Sequence, residues 1–206
     1  MEASQNPTQV VFDIGEVLLD WNPRYLYRKI IPDPDRMEWF LGEVCTPAWN
    51  IEQDRGRPFA DAVAILTERH PDLADEIRAF DERWVETVAD VVHGSVVLLE
   101  RLRQHGVPTW AITNFSHEKF AIARRRWPFL DGFRDVVVSG EEKLLKPDPA
   151  IYHVLLDRNG LDAADCLFID DSPKNVEGAR AVGMHAVHFT TADQLAIDLR
   201  RYGFPA

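Results

Sequence analysis

Five short apolar runs, rich in β-branched residues, constrain this chain more than anything else: Val10-Val11-Phe12, Thr109 to Thr113, Val136 to Val138, Leu167 to Ile169 and Ala186 to Phe189. Runs of this length read as buried strands. Helical spacing fills the intervals at 95–104, 117–126, 149–158, 174–182 and 192–201, and Gly106, Gly160 and Gly183 stand where helix C-caps are expected. Strands alternating with helices of this length predict right-handed βαβ units, hence an α/β fold: a doubly wound parallel sheet with helices on both faces.

Residues 17–90 break that rhythm. Asn22-Pro23 reads as a helix N-cap followed by proline in the first turn. Apolar residues then recur at helical spacing through Tyr25 to Ile31, Met37 to Val44, Phe59 to Leu66 and Ile77 to Val88, with no strand pattern between them. This predicts an all-helical insertion at 17–90, between core segments 1–16 and 91–206.

In an open parallel sheet, ligands bind beyond the carboxyl ends of the strands. The first strand runs into Asp13-Ile14-Gly15, the second into Thr113-Asn114 and the third into a loop reaching Lys146-Pro147. The fourth runs into Asp170-Asp171-Ser172. Any one of these groups reads as a cap or loop residue by itself. Four strand ends delivering them together read as a site. Asp13, Asp170 and Asp171 would repel one another without a cation among them, and Mg²⁺ suits such oxygen ligands. Lys146 would add a positive charge at the same centre. The Thr113 hydroxyl and the backbone N–H groups of Asn114 and Phe115 suit the oxygens of a transferring group.

A net charge of −11 argues against nucleic acid or an anionic membrane as partner. Arg124-Arg125-Arg126 is the densest basic cluster and reads as a solvated helix end. Hydrophobic residues make up 46% of the 206, enough for a sizeable core. Cys45 and Cys166 form no CxxC pair, which fits a reducing compartment. Met1 to Gln9 is polar and has neither the basic start nor the apolar run of a signal peptide. The expectation is a cytoplasmic protein, monomer or homodimer.

The order of these pieces resembles the haloacid dehalogenase superfamily over nearly the whole chain. The motifs are Val10-Val11-Phe12-Asp13-Ile14-Gly15-Glu16-Val17-Leu18, Ala111-Ile112-Thr113-Asn114, Lys146-Pro147-Asp148-Pro149, and Leu167-Phe168-Ile169-Asp170-Asp171-Ser172 with Asn175 behind it. The resemblance implies a Rossmann-like core with a helical cap inserted after the first strand. It also implies a phosphatase in which Asp13 attacks phosphorus and forms an aspartyl-phosphate. Mg²⁺ would be held by Asp13, the Gly15 carbonyl and Asp171, with Asp170 as second ligand or water-holder. Asn175 would steady Lys146 or the metal waters.

One position departs from the family pattern. Most of its phosphatases carry an aspartate, the general acid and base, where this chain has Gly15. The chain is nearest to a subgroup of sugar-1-phosphate phosphatases with Asp-x-Gly, so a sugar phosphate is the expected substrate. Glu16, Asp20, Asp54 and His117 are candidates for the missing group. Two other readings stand beside this one. A metal-independent 2-haloacid dehalogenase would use Asp13 on carbon, but its relatives lack acids at positions 170 and 171. A non-catalytic module binding phosphate ligands or a partner would not need a nucleophile in place. In the cap, Trp49 is expected either to face a ligand or to pack in the cap core. Arg55 is expected either to bind an anion or to pair with an acid.

Overall fold

The computed structural model describes residues 6–206. The first residues of the polar N-terminal stretch, and of the expected core segment 1–16, lie outside that range. A parallel five-stranded sheet carries the fold, in the order β5 (Val136–Val138), β4 (Thr109–Thr113), β1 (Gln9–Phe12), β6 (Cys166–Asp170), β7 (His185–His188). Strands β4 and β6 flank β1, in register Phe12 with Ala111 and Phe12 with Ile169. From β1 the chain winds to one edge, then crosses to the other. The crevice at that crossing is where such sheets bind ligands.

The period-2 alternation of β1 explains why the sheet is buried on both faces. Val10 and Phe12 point to a cluster with Leu99, Leu102 and Leu199, while Val11 points to another with Ile151, Tyr152 and Val176. Helices α6 (His93–Gln104), α7 (His117–Arg126) and α11 (Ala192–Arg201) cover the first face, and α9 (Pro149–Asn159) and α10 (Pro173–Ala181) the second. Gly106, Gly160 and Gly183 all have positive φ, the left-handed geometry that favours glycine at a helix end. Arg124 to Arg126 form the exposed last turn of α7, with Arg124 paired to Asp131.

Between β1 and α6 lie α1 (Arg24–Ile30), α2 (Pro34–Glu43), α3 (Pro47–Asp54), α4 (Phe59–Arg69) and α5 (Ala74–Glu82). They enclose a core of their own around Tyr27, Phe40, Phe59, Ile77 and Phe80. Two expectations for this segment need correction. It is not wholly helical: β2 (Leu19–Trp21) pairs antiparallel with β3 (Val88–Val91), forming a ribbon where the chain leaves the core and returns to it. The helix read to Val88 ends at Glu82 and gives way to a 3₁₀ turn at Trp84–Thr87. The segment around Trp49, outside the helical stretches expected from spacing, is itself helix α3. Thr46 caps it by accepting the Trp49 N–H, and Pro47 fits its first turn.

Candidate active site

Asp13 follows β1, Thr113 ends β4 and Asp170 ends β6, so the ladder pairing brings all three to one edge of the sheet. Lys146 reaches them from the loop before α9. Its fully buried ammonium lies 2.8 Å from Asp13 Oδ1 and 2.6 Å from Asp170 Oδ2, and donates to the Ile112 carbonyl at 3.0 Å. The Asn114 side chain fixes that loop. Its Oδ1 accepts the Lys146 N–H at 2.8 Å and its Nδ2 donates to the Lys146 carbonyl at 3.1 Å. Reading the sequence assigned only the Asn114 backbone a role, yet an amide side chain beside a strand end signals such a clamp.

Asp13 Oδ1 also accepts the Ile14 N–H at 2.6 Å. Both contacts fall on one oxygen, so Oδ2 is the one presented to a ligand. Asp170 is fully buried. It accepts the Ser172 N–H at 2.8 Å and both of its oxygens accept from Asn175 Nδ2, at 3.0 and 3.1 Å. Asn175 therefore steadies Asp170 directly, and Lys146 only through it. Thr113 Oγ1 is buried with no partner among the described residues, an arrangement that awaits an acceptor. The Phe115 N–H, expected to face a ligand, is instead donated to Ser139 Oγ at 2.8 Å.

Electrostatically the cluster is short of positive charge. Burial pushes Asp13 up to about 8, with Asp170 and Asp171 adding to the push while Lys146 opposes it. Burial, then Asp170, raises Asp171 as well. Burial pulls Lys146 down, but Asp13 and Asp170 outweigh it and hold the ammonium above its ordinary value. Oxygens of Asp13, Asp170 and Asp171 lie within 4.8 Å of one another, a donor set that fits a hard divalent cation. The Gly15 carbonyl accepts the Val17 N–H at 2.7 Å and keeps a second lone pair.

A pocket opens beside this cluster, with about 520 Å³ of empty space including its mouth. Gly15, Asn114 and Ser116 lie on its core side. Leu19, Trp21, Phe59, Trp84, Val88 and Phe115 supply apolar walls, and Asn50, Asp54 and Lys119 supply polar groups. Asn50 and Asp54, four apart on α3, share the helix face turned to the pocket. Trp49 belongs to a different face. It packs edge-on against Phe80 at 5.2 Å and Phe59 at 6.4 Å in the cap core, away from the ligand side. Arg55 is exposed and lies 3.7 Å from Glu52, outside the pocket wall. Trp21 lines the pocket. The walls Phe59 and Trp84 were missed, because apolar residues at helical spacing read as core.

A model of the haloacid dehalogenase-like hydrolases matches residues 8–183. The chain belongs to that family. It is 33% identical over 194 residues to the sesquiterpene phosphatase astK of Aspergillus oryzae, covering 93% of this chain and 94% of the relative. It is also 26% identical to the phosphorylated carbohydrates phosphatase of Thermotoga maritima, over 87% and 83% of the two chains. Among solved structures, a haloacid dehalogenase family enzyme of Bacteroides thetaiotaomicron, in complex with magnesium and inorganic phosphate, superposes with a TM-score of 0.71 at 21% identity. The match covers 90% of this chain and 95% of that one. The shared fold is the α/β fold expected from the strand pattern, with the parallel sheet flanked by helices. None of the described helices is long and apolar enough to cross a membrane.

Proposed function

We propose that this haloacid dehalogenase-like hydrolase is a Mg²⁺-dependent phosphatase acting on a small-molecule phosphate monoester. The observation that carries the reading is the buried Asp13–Lys146–Asp170 chain of contacts beside Asp171. A dehalogenase attacking carbon has no use for two further acids around its nucleophile, whereas a cation-assisted site does. Asp13, the Gly15 carbonyl and Asp171 would hold the ion, with Asp170 as second ligand or holder of its water. When bound, the ion supplies positive charge against the phosphate oxygens and the clustered carboxylates.

The chain's own groups divide the work. Lys146 keeps Asp13 oriented and faces the phosphate charge. Thr113 offers its unpartnered hydroxyl to a phosphate oxygen. Asp13 Oδ2 attacks phosphorus, the bond from phosphorus to the leaving oxygen breaks, and water then hydrolyses the aspartyl-phosphate. The helical segment covers the site as a cap, and its two-stranded ribbon is where it swings against the core.

The leaving group comes to rest in the pocket beside Gly15. A sugar phosphate is the class expected from Gly15, and the Thermotoga relative supports it. The six apolar walls favour a second class, an isoprenoid or aryl phosphate, in line with the Aspergillus relative. Phosphate release from glucose 1-phosphate, geranyl phosphate and p-nitrophenyl phosphate, with and without Mg²⁺, separates these readings. Turnover is expected to fall to background in EDTA and to return with Mg²⁺. Metal-independent chloride release from 2-chloropropionate, without phosphatase activity, would replace this reading by the dehalogenase.

A further inference from the structure

We propose that Asp54, on the cap side of the pocket, is the general acid and base of this site and takes over the task an aspartate performs at position 15 in most of the family's phosphatases. This rests on the phosphatase reading above.

The geometry around Gly15 carries the argument. A Cβ built on Gly15 meets no heavy atom within 4 Å, so the space a side chain would occupy there is open. Asp54, on cap helix α3, lines the same pocket as Gly15. The pocket adjoins Asp13, so it is where a leaving group bonded to a phosphate there would lie. Of the other candidates, Asp20 is engaged by the Tyr25 hydroxyl at 2.9 Å, and neither Glu16 nor His117 lines the pocket.

Asp54 is also held in place without being used up. Its carbonyl accepts from Ser139 Oγ on the core, so the end of α3 is tied across the cleft through the backbone, not the carboxylate. Two residues on, Gly56 has a φ of +103°, and a Cβ there would meet the Gly140 carbonyl at 2.8 Å, so only glycine lets the chain turn so close. Asn50 Nδ2 approaches the carboxylate at 3.4 Å, and Asp54 forms no salt bridge within 4.0 Å among the described residues, unlike most of the chain's partly buried acids. Burial pushes it up to about 7, against a smaller pull from the Ser116 N–H. That value suits an acid that gives and regains a proton near neutrality.

The step balances as follows. As Asp13 Oδ2 bonds to phosphorus, the phosphorus–oxygen bond to the leaving group breaks, and the Asp54 proton passes to that oxygen, releasing an alcohol. The Asp54 carboxylate then takes a proton from water while the water oxygen attacks the aspartyl-phosphate. Asp13 leaves as carboxylate, inorganic phosphate departs and Asp54 is protonated again.

The test compares leaving groups in the Mg²⁺-loaded protein. Asp54→Asn is expected to lower kcat/KM on β-glycerol phosphate by about 10²–10⁴-fold. On p-nitrophenyl phosphate, whose leaving oxygen needs no proton, the loss should stay within about tenfold. In the wild type, the glycerol phosphate rate should fall as pH rises through about 7, and this limb should disappear in the variant. The charged groups on surrounding elements are Lys119, Glu118 and His117 on α7, Asp61 on α4, and Glu141 and Glu142 on helix α8 (Ser139–Glu142), with Glu52, Arg55 and Arg57 beside Asp54 in its own segment. Adding Gly15→Asp to Asp54→Asn should restore the alkyl rate. Equal losses on both substrates, or none, would overturn the role of Asp54 and leave the phosphatase reading standing. A wild type inactive on both of these and on glucose 1-phosphate and geranyl phosphate would remove the reading and the proposal together. Circular dichroism checks the fold, and Asp54→Ser carries the same comparison if the Asn variant does not fold.

Discussion

Asp13→Asn will lower phosphatase turnover on the order of 10⁴-fold or more, because the attacking oxygen is gone and the remaining groups can only bind and polarise. The fold will persist. Asn is close in shape to Asp, and the Oδ1 contacts to the Ile14 N–H and Lys146 survive on an amide oxygen. A second readout follows from the raised proton affinity of Asp13. Its ordinary value is 3.8 and its folded value about 8. Between these the folded chain holds a proton that the unfolded chain has released, so metal-free stability falls as pH rises through that window. Asp13→Asn removes this contribution, so its urea midpoint will change less from pH 5 to pH 8 than that of the wild type. Turnover above a few per cent of wild type would take the nucleophile role away from Asp13. So would a borohydride-quenched reaction in which no homoserine appears at position 13.

Local chemistry decided which parts of this architecture were legible in advance. Val10-Val11-Phe12, Thr109 to Thr113 and Leu167 to Ile169 are buried on both faces, so each is an unbroken apolar run, and the polar residue after each falls where β1, β4 and β6 end together. The ribbon was not legible. Leu19-Asp20-Trp21 is too short for a period-2 pattern to register, and its partner strand lies far along the chain, where Trp84 and the strand's own first residue, Val88, continue a helical spacing. The pocket was partly legible. Asp54 stood among four candidates for the missing group, with Glu16, Asp20 and His117, but sequence alone does not say which way α3 is rotated. Helix packing turns Trp49 and Gln53 inward and Asn50 and Asp54 toward the cleft, and one residue of rotation would have exchanged those roles.

The other large effect belongs to Lys146→Met, chosen because methionine keeps the chain length without the charge. Lys146 has no solvent to fall back on, and neither has Asp170, whose side chain is fully buried. Deleting the ammonium leaves buried carboxylates uncompensated, a change that costs about 3–5 kcal/mol. For a chain of this size that is a fall in Tm on the order of 10 °C. The sign with pH distinguishes this from a packing defect. Without Lys146, the upward push on Asp13 from burial and Asp170 is unopposed, so the folded state favours the proton more strongly still. An acid with a raised folded value stabilises the fold at low pH and loses that contribution as pH rises through the folded value. The deficit will therefore be small near pH 4 and largest above pH 8. A defect of shape would be flat across that range. Lys146→Met combined with Asp170→Asn removes the stranded charge with its partner, so the double variant should be more stable than Lys146→Met alone. If the two losses simply add in the thermal melts, Lys146 and Asp170 are not coupled, and the charge balance assigned to the site is wrong.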